Sequence, residues 1–248
     1  MRKGNLTCVQ KLWLVVLATA FCSSPTEAAT TGSEAIVVTG GVSLWKWEKT
    51  KLEPHDHWWL NFIRASRFRI EQLKQTLDSR IQVTWLLYAP AYQARQVQES
   101  EDLFSVIRSV QAKYGVKLVL FSTADELCNY LNYGEDRQTN KIVSFDYFGH
   151  SNCDCMMFDY SNEIGSASKV WLHKNELKSK LRRGIFARNA HVQSWGCYQA
   201  ESMLEGPSMA AMWHQATGAP MKGAVGKTQY MMDQLPILSS PGGQWVVR

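Results

Sequence analysis

No apolar run in this chain is long enough to cross a membrane; the block from Leu12 to Phe21 falls well short of the roughly 20 residues a spanning helix needs. The charge excess is also small, at +5. It is spread over minor clusters at Lys46 to Lys51, Arg64 to Arg69 and Lys178 to Arg183, with no aromatic-interleaved basic module beside them. They read as solvated faces, and nucleic acid is not an expected partner. No internal repeat is detectable. The G-x-S-x-G elbow of serine hydrolases is absent. His55-x-His57 and Cys153-x-Cys155 both lack the C-x₂₋₄-C or H-x₃₋₅-H spacing of a closed zinc site, so a metal-binding role, with His150 as a further ligand, is only an alternative.

What is present is apolar material for one sizeable core: 45% of the 248 residues are hydrophobic and 20% charged. At the N-terminus, Arg2, Lys3 and Lys11 precede the apolar block, and small and polar residues ending TEAAT follow it. That order is that of a secretory signal peptide, residues 1–29, with cleavage near Ala28 or Ala29. The expected product is a single domain, residues 30–248, secreted or periplasmic and without a stable membrane span. Phe21 before Cys22 is too bulky for the usual lipoprotein processing site. Cleavage leaves Cys128, Cys153, Cys155 and Cys197, enough for two disulfides in an exported chain. Cys197 as half of a bridge is therefore the plain alternative to any chemical role.

Strand and helix patterns alternate along the chain. After a low-structure tail to Glu34, AIVVT (Ala35–Thr39) reads as the first strand, and a Trp-rich loop runs on to Pro54. Apolar or small residues at Trp59, Ile63, Ser66, Ile70, Leu73 and Leu77 recur in steps of four and three, the stripe of an amphipathic helix. IQVTWLLY (Ile81–Tyr88) is apolar enough for a strand covered on both faces. APAYQARQVQES reads as a loop, and Ser100, Glu101 and Asp102 then open a helix that Gly115 ends. VKLVLF (Val116–Phe121) is a third strand, and Thr123 to Glu126 is a capping box for the next helix. Ile142 to Phe148 forms a strand that stops at Gly149-His150, followed by an irregular stretch, Ser151 to Val170, and a helix, Leu172 to Leu181. A strand then runs into Gly196-Cys197, Pro207 opens a helix that Gly218 closes, and Met221 to Val225 is the last clear strand. The expected fold is α/β, a three-layer α/β/α sandwich around a mostly parallel sheet of about six strands.

Two of these strands end in reactive side chains, IVSFDYFGHSN in His150 and HVQSWGCYQAES in Cys197. The carboxyl ends of strands are where open α/β sheets place ligands and chemistry. The layout resembles the caspase-like cysteine peptidases, the clan of caspases, metacaspases, legumains, gingipains and bacterial caspase-like domains. In that clan a hydrophobic strand ends in the catalytic His, usually followed by Gly, and the next core strand ends in the nucleophilic Cys. The resemblance spans roughly residues 35 to 230. Ser151 stands where the clan favours Gly, and Gly196 stands where Ala or Ser is commoner.

The resemblance implies a cysteine endopeptidase acting on a peptide or protein substrate, without a cofactor. His150 would be general base and acid, Cys197 nucleophile, and Gly149 would lie at the oxyanion site. Asp146, on the same strand parity as His150, is a candidate to tune the imidazole, and equally a candidate to pair with a nearby Lys or Arg. Trp195, two residues before Cys197, is a third departure: it stands where several branches place an acidic or amide residue that helps read the substrate. The loop after the first strand helps build the pocket in that clan, which makes His55 and Asp56 pocket candidates, although Asp56 is equally placed to cap the helix that follows. A domain of the same fold that binds a partner without catalysis is the remaining alternative.

Overall fold

In a computed structural model, residues 32–44, 58–159, 169–202, 206–232 and 234–248 are described. Residues 1–29, read as a signal peptide, and His55, Asp56 and His57 lie outside them. Seven strands make one sheet: β1 (Gly32–Thr39), β2 (Gln82–Tyr88), β3 (Lys117–Phe121), β4 (Asn140–Phe148), β8 (Phe186–Ser194), β9 (Lys222–Val225) and β12 (Gln244–Val247). Their order across the sheet is β12-β9-β8-β4-β1-β2-β3, and every neighbouring pair is parallel except β9 with β12.

Helices cover both faces. α1 (Asn61–Thr76), α2 (Ala89–Glu99) and α3 (Leu103–Tyr114) are followed in the chain by α4 (Ala124–Tyr133), the short α5 (Leu177–Lys180) and α6 (Met209–Thr217). Phe62, Ile63, Ile70 and Leu73 of α1 pack with Leu103 and Ile107 of α3 in one apolar cluster. Leu127 and Leu131 of α4, Leu177 of α5 and Trp213 of α6 belong to the other. The result is a three-layer α/β/α sandwich. β1 lies at its centre, and Ala35 to Val38 are fully buried, each large apolar side chain contributing about 1.5 to 3 kcal/mol.

Several local readings need correction. Glu34 is not in a tail: it is fully buried inside β1, where Arg137 Nη1 pairs with it at 2.7 Å and the Thr84 and Tyr130 hydroxyls donate to it. Residues 89–99 form α2 where a loop was expected. Pro90 is tolerated in its first turn, and its buried stripe of Ala89, Ala91, Tyr92 and Arg95 was disguised by the arginine. That guanidinium is satisfied by Glu99 at 2.6 Å and by the Ser43 carbonyl at 2.6 Å. Ser100, at φ 56°, closes α2, and Asp102 alone caps α3 through Ser105 N–H. Ser208, and not Pro207, heads α6.

Beyond β4, the stretch read as irregular contributes β5 (His150–Ser151) and β6 (Cys155–Met157), which pair antiparallel with β7 (Trp171–His173) in a small second sheet. Leu172 faces Met156 there, so the expected helix shrinks to α5. A hairpin of β10 (Thr228–Gln229) and β11 (Ile237–Leu238) and then the antiparallel edge strand β12 follow β9. No helix among the described residues is long and apolar enough to cross a membrane.

Candidate active site

The chain runs from β1 outward to β2 and β3 on one side and then returns to place β4 on the other side of β1. A reversal of strand order opens a crevice beyond the carboxyl ends of the two strands it separates. Gly40 and Gly41 follow β1 there, Gly149 and His150 follow β4, and Gly196 and Cys197 follow β8, the next strand out.

Short contacts fix these three loops. Gly40 N–H donates to the Phe148 carbonyl at 2.8 Å, and the Tyr92 hydroxyl of α2 donates to the Gly40 carbonyl at 2.9 Å. The buried Tyr147 hydroxyl lies 2.7 Å from the His150 carbonyl and 3.0 Å from that of Met157, holding the turn after β4 against the small sheet. Trp195 N–H donates to the Tyr147 carbonyl at 2.9 Å, and the Ser151 hydroxyl donates to the Cys197 carbonyl at 2.8 Å. A side chain on Gly196 would overlap Ser151 Oγ and come within 2.9 Å of the Gly149 carbonyl oxygen. The residues on either side of His150 therefore touch Gly196 and Cys197 directly.

The side chains of the pair have distinct surroundings. His150 is half-buried, with its ring edge-on to Phe62 of α1 at 5.0 Å. Cys197 is also half-buried, and its sulfur accepts the Thr228 N–H at 3.3 Å and lies 3.6 Å from the Thr228 hydroxyl. Among the described residues, the hydrogen-bond partners of that sulfur all belong to Thr228. Tyr198 follows at φ 62°, a left-handed conformation that is uncommon for a bulky residue and costs about 1 to 2 kcal/mol. Its N–H donates to the Gly226 carbonyl at 2.9 Å. Strain of this kind collects where surrounding structure holds a functional turn.

Gly149 N–H, the oxyanion donor expected from sequence, donates to the Tyr230 hydroxyl at 3.0 Å. Asp146 does not reach toward His150, which is four residues further on, about 13 Å along an extended chain. It is fully buried and accepts from Arg69 Nε at 2.9 Å, Trp195 Nε1 at 2.9 Å and Ser144 Oγ at 3.1 Å, while His191 Nε2 stands 3.7 Å away. Burial pushes the Asp146 carboxyl up, but the pulls of His191, the Arg69 guanidinium and the Trp195 indole outweigh it and hold it below the ordinary carboxylate value. Trp195 is accordingly a core residue, 8% exposed, stacked on Phe148 at 5.8 Å and met edge-on by Trp245 at 5.3 Å. It orients the start of the Cys197 loop.

All four described cysteines are free thiols. Burial pushes Cys128 up to about 12, and burial with Asp154 nearby pushes Cys155 up to about 12. Burial and Asp154 raise Cys153 as well. Those three thiols are held in the protonated, unreactive form. Among the described residues, no group of three or more His, Cys, Asp or Glu side chains is placed to hold a metal ion.

Sequence reasoning missed Phe62, Thr228 and Tyr230. Phe62 adjoins the stripe that identified α1, but GKTQYMMD carries no period or motif that would have drawn attention to the other two. Compared with known proteins, the chain matches no family model, no curated protein and no solved structure.

Proposed function

We propose that this chain is an exported cysteine endopeptidase of the caspase-like clan, with Cys197 as nucleophile and His150 as its base and acid. The observation that carries the reading is the meeting of the two loops at the strand-order reversal, where the Ser151 hydroxyl holds the Cys197 carbonyl at 2.8 Å. Two of the three departures from the clan's pattern, Ser151 and Gly196, are sterically coupled. A hydroxymethyl at 151 requires a bare Gly196; Gly at 151 would relieve the closest contact of an Ala at 196 and leave its 2.9 Å approach to the Gly149 carbonyl oxygen.

In this mechanism His150 takes the thiol proton, and the thiolate adds to the scissile carbonyl carbon, forming a C–S bond and an oxyanion. Backbone N–H groups near Gly149 and Cys197 stabilise that charge. His150 then protonates the departing amine as the C–N bond breaks. Water, deprotonated by the same imidazole, hydrolyses the thioester and restores the thiol. Thr228 N–H donates to the sulfur at 3.3 Å and fixes its position. Imidazole–thiol contacts commonly tighten only when substrate is bound, which accommodates a resting sulfur bonded to Thr228.

The occupied Gly149 amide favours one other reading, a domain of this fold that binds a partner without cleaving it. Hydrolysis of fluorescein-labelled casein separates the two. Cys197→Ala and His150→Ala are each expected to lower the rate by about a thousandfold or more with the melting temperature unchanged. Cleavage that survives Cys197→Ala would remove that thiol from the mechanism, and a native chain that never cleaves would leave the binding domain.

A further inference from the structure

The hairpin β10–β11 forms a third wall of the crevice that neither strand-end loop accounts for. Its first strand is fastened at several points. Thr228 donates its N–H to Cys197 Sγ at 3.3 Å and its hydroxyl to the Trp195 carbonyl at 2.9 Å, so it grips the nucleophile loop before and at the cysteine. Two residues on, Tyr230 is half-buried, its ring edge-on to Phe62 at 4.7 Å and its hydroxyl oxygen 3.0 Å from Gly149 N. Phe62 thereby touches both the His150 ring and the Tyr230 ring.

Gly149 N–H is a single donor on a buried glycine, and one well-made hydrogen bond satisfies it. An oxygen atom from elsewhere can use that donor only after the Tyr230 hydroxyl leaves it. The phenol is a neutral acceptor, whereas an oxyanion is a charged one and forms a hydrogen bond roughly twice as strong. The exchange therefore favours a developing negative charge over a resting carbonyl, and because displacing the phenol costs the same wherever the donor is used, the Tyr230 hydroxyl weakens the binding of substrate and transition state alike.

We infer that Tyr230 is a positioning residue for the proposed reaction, whose hydroxyl holds the place of the substrate's carbonyl oxygen on Gly149 N–H until the substrate displaces it. This rests on the peptidase reading of Cys197 and His150. The residue acts through Gly149 and takes no part in bond making.

Tyr230→Phe removes the hydroxyl and keeps the ring against Phe62, so the hairpin stays seated. Two readouts are taken on the full chain: hydrogen exchange of the Gly149 amide followed by NMR, and the kinetics of labelled-casein hydrolysis. In the native chain the amide is expected to be protected, and in Tyr230→Phe to exchange at least tenfold faster, with KM falling several-fold and kcat nearly unchanged. A merely structural tyrosine would instead lower the melting temperature and kcat together. An unprotected Gly149 amide in the native chain overturns the inference without any variant. So does exchange that Tyr230→Phe leaves unchanged, and so does a KM that stays level or rises; in these cases the peptidase reading still stands if casein is cleaved. A freed Gly149 amide with no casein cleaved by either protein sinks the peptidase reading and reduces Tyr230 to the occupant of that amide.

Discussion

At Gly196, the carbonyl oxygen of Gly149 and the hydroxyl of Ser151 together leave room for a hydrogen and nothing larger. Gly196→Ala is expected to cost about 1 to 3 kcal/mol, as overpacking does when neighbours must shift. Ser151→Gly alone removes the 2.8 Å bond to the Cys197 carbonyl but relieves the closest contact of the added methyl, leaving the Gly149 carbonyl oxygen at 2.9 Å. The double variant should therefore be more stable than Gly196→Ala, with a coupling of at least about 1 kcal/mol in a double-mutant cycle read from urea midpoints. Additive effects would show that the two loops do not press on each other. Both residue types were visible in the sequence, as departures from a pattern. Their mutual dependence was not, because positions 151 and 196, far apart in sequence, are brought together by the pairing of β4 with β8.

Helix α1 is fastened to the sheet beneath the site through Arg69, 2.9 Å from the buried Asp146 carboxylate of β4, and that same carboxylate holds Trp195 at the end of β8. Asp146→Asn leaves the guanidinium, largely buried, without its counter-charge and should cost about 3 kcal/mol. The acid dependence follows from the lowered carboxyl. The native state binds this proton less readily than the unfolded chain, so the stabilisation is complete above the ordinary carboxylate range, near pH 4, and fades as the pH falls through the lower native value. Urea midpoints of native and Asp146→Asn protein should differ widely at pH 7 and converge below about pH 4. A gap that persists into acid would mean that packing, not charge, is what the substitution removes. Strand parity identified Asp146 as a residue of consequence. It could not say which partner the side chain meets, since Arg69 and Trp195 lie 77 and 49 residues away in sequence.

Across the whole molecule, the alternation of apolar strands with amphipathic helices was enough to place six of the seven sheet strands and both helical layers. What escaped was built from short or polar segments: α2, whose buried stripe includes Arg95; the small sheet of β5, β6 and β7; and the C-terminal hairpin with β12. Those segments have too few residues to show a period, and they gain their stability from neighbours already in place. They also wall the crevice, with Ser151 on β5 and Thr228 on β10, so the sequence marked the two candidate residues, His150 and Cys197, and left their surroundings illegible. The central claim is that His150 activates Cys197, and the rate of iodoacetamide labelling at Cys197 tests it without knowledge of any substrate. Mass spectrometry at neutral pH would follow each cysteine in native and His150→Ala protein. The account predicts that native Cys197 labels at least about tenfold faster than Cys197 in the variant and well ahead of Cys128, Cys153 and Cys155. Equal rates in the two proteins, or a Cys197 that reacts only after reductant is added, would contradict it.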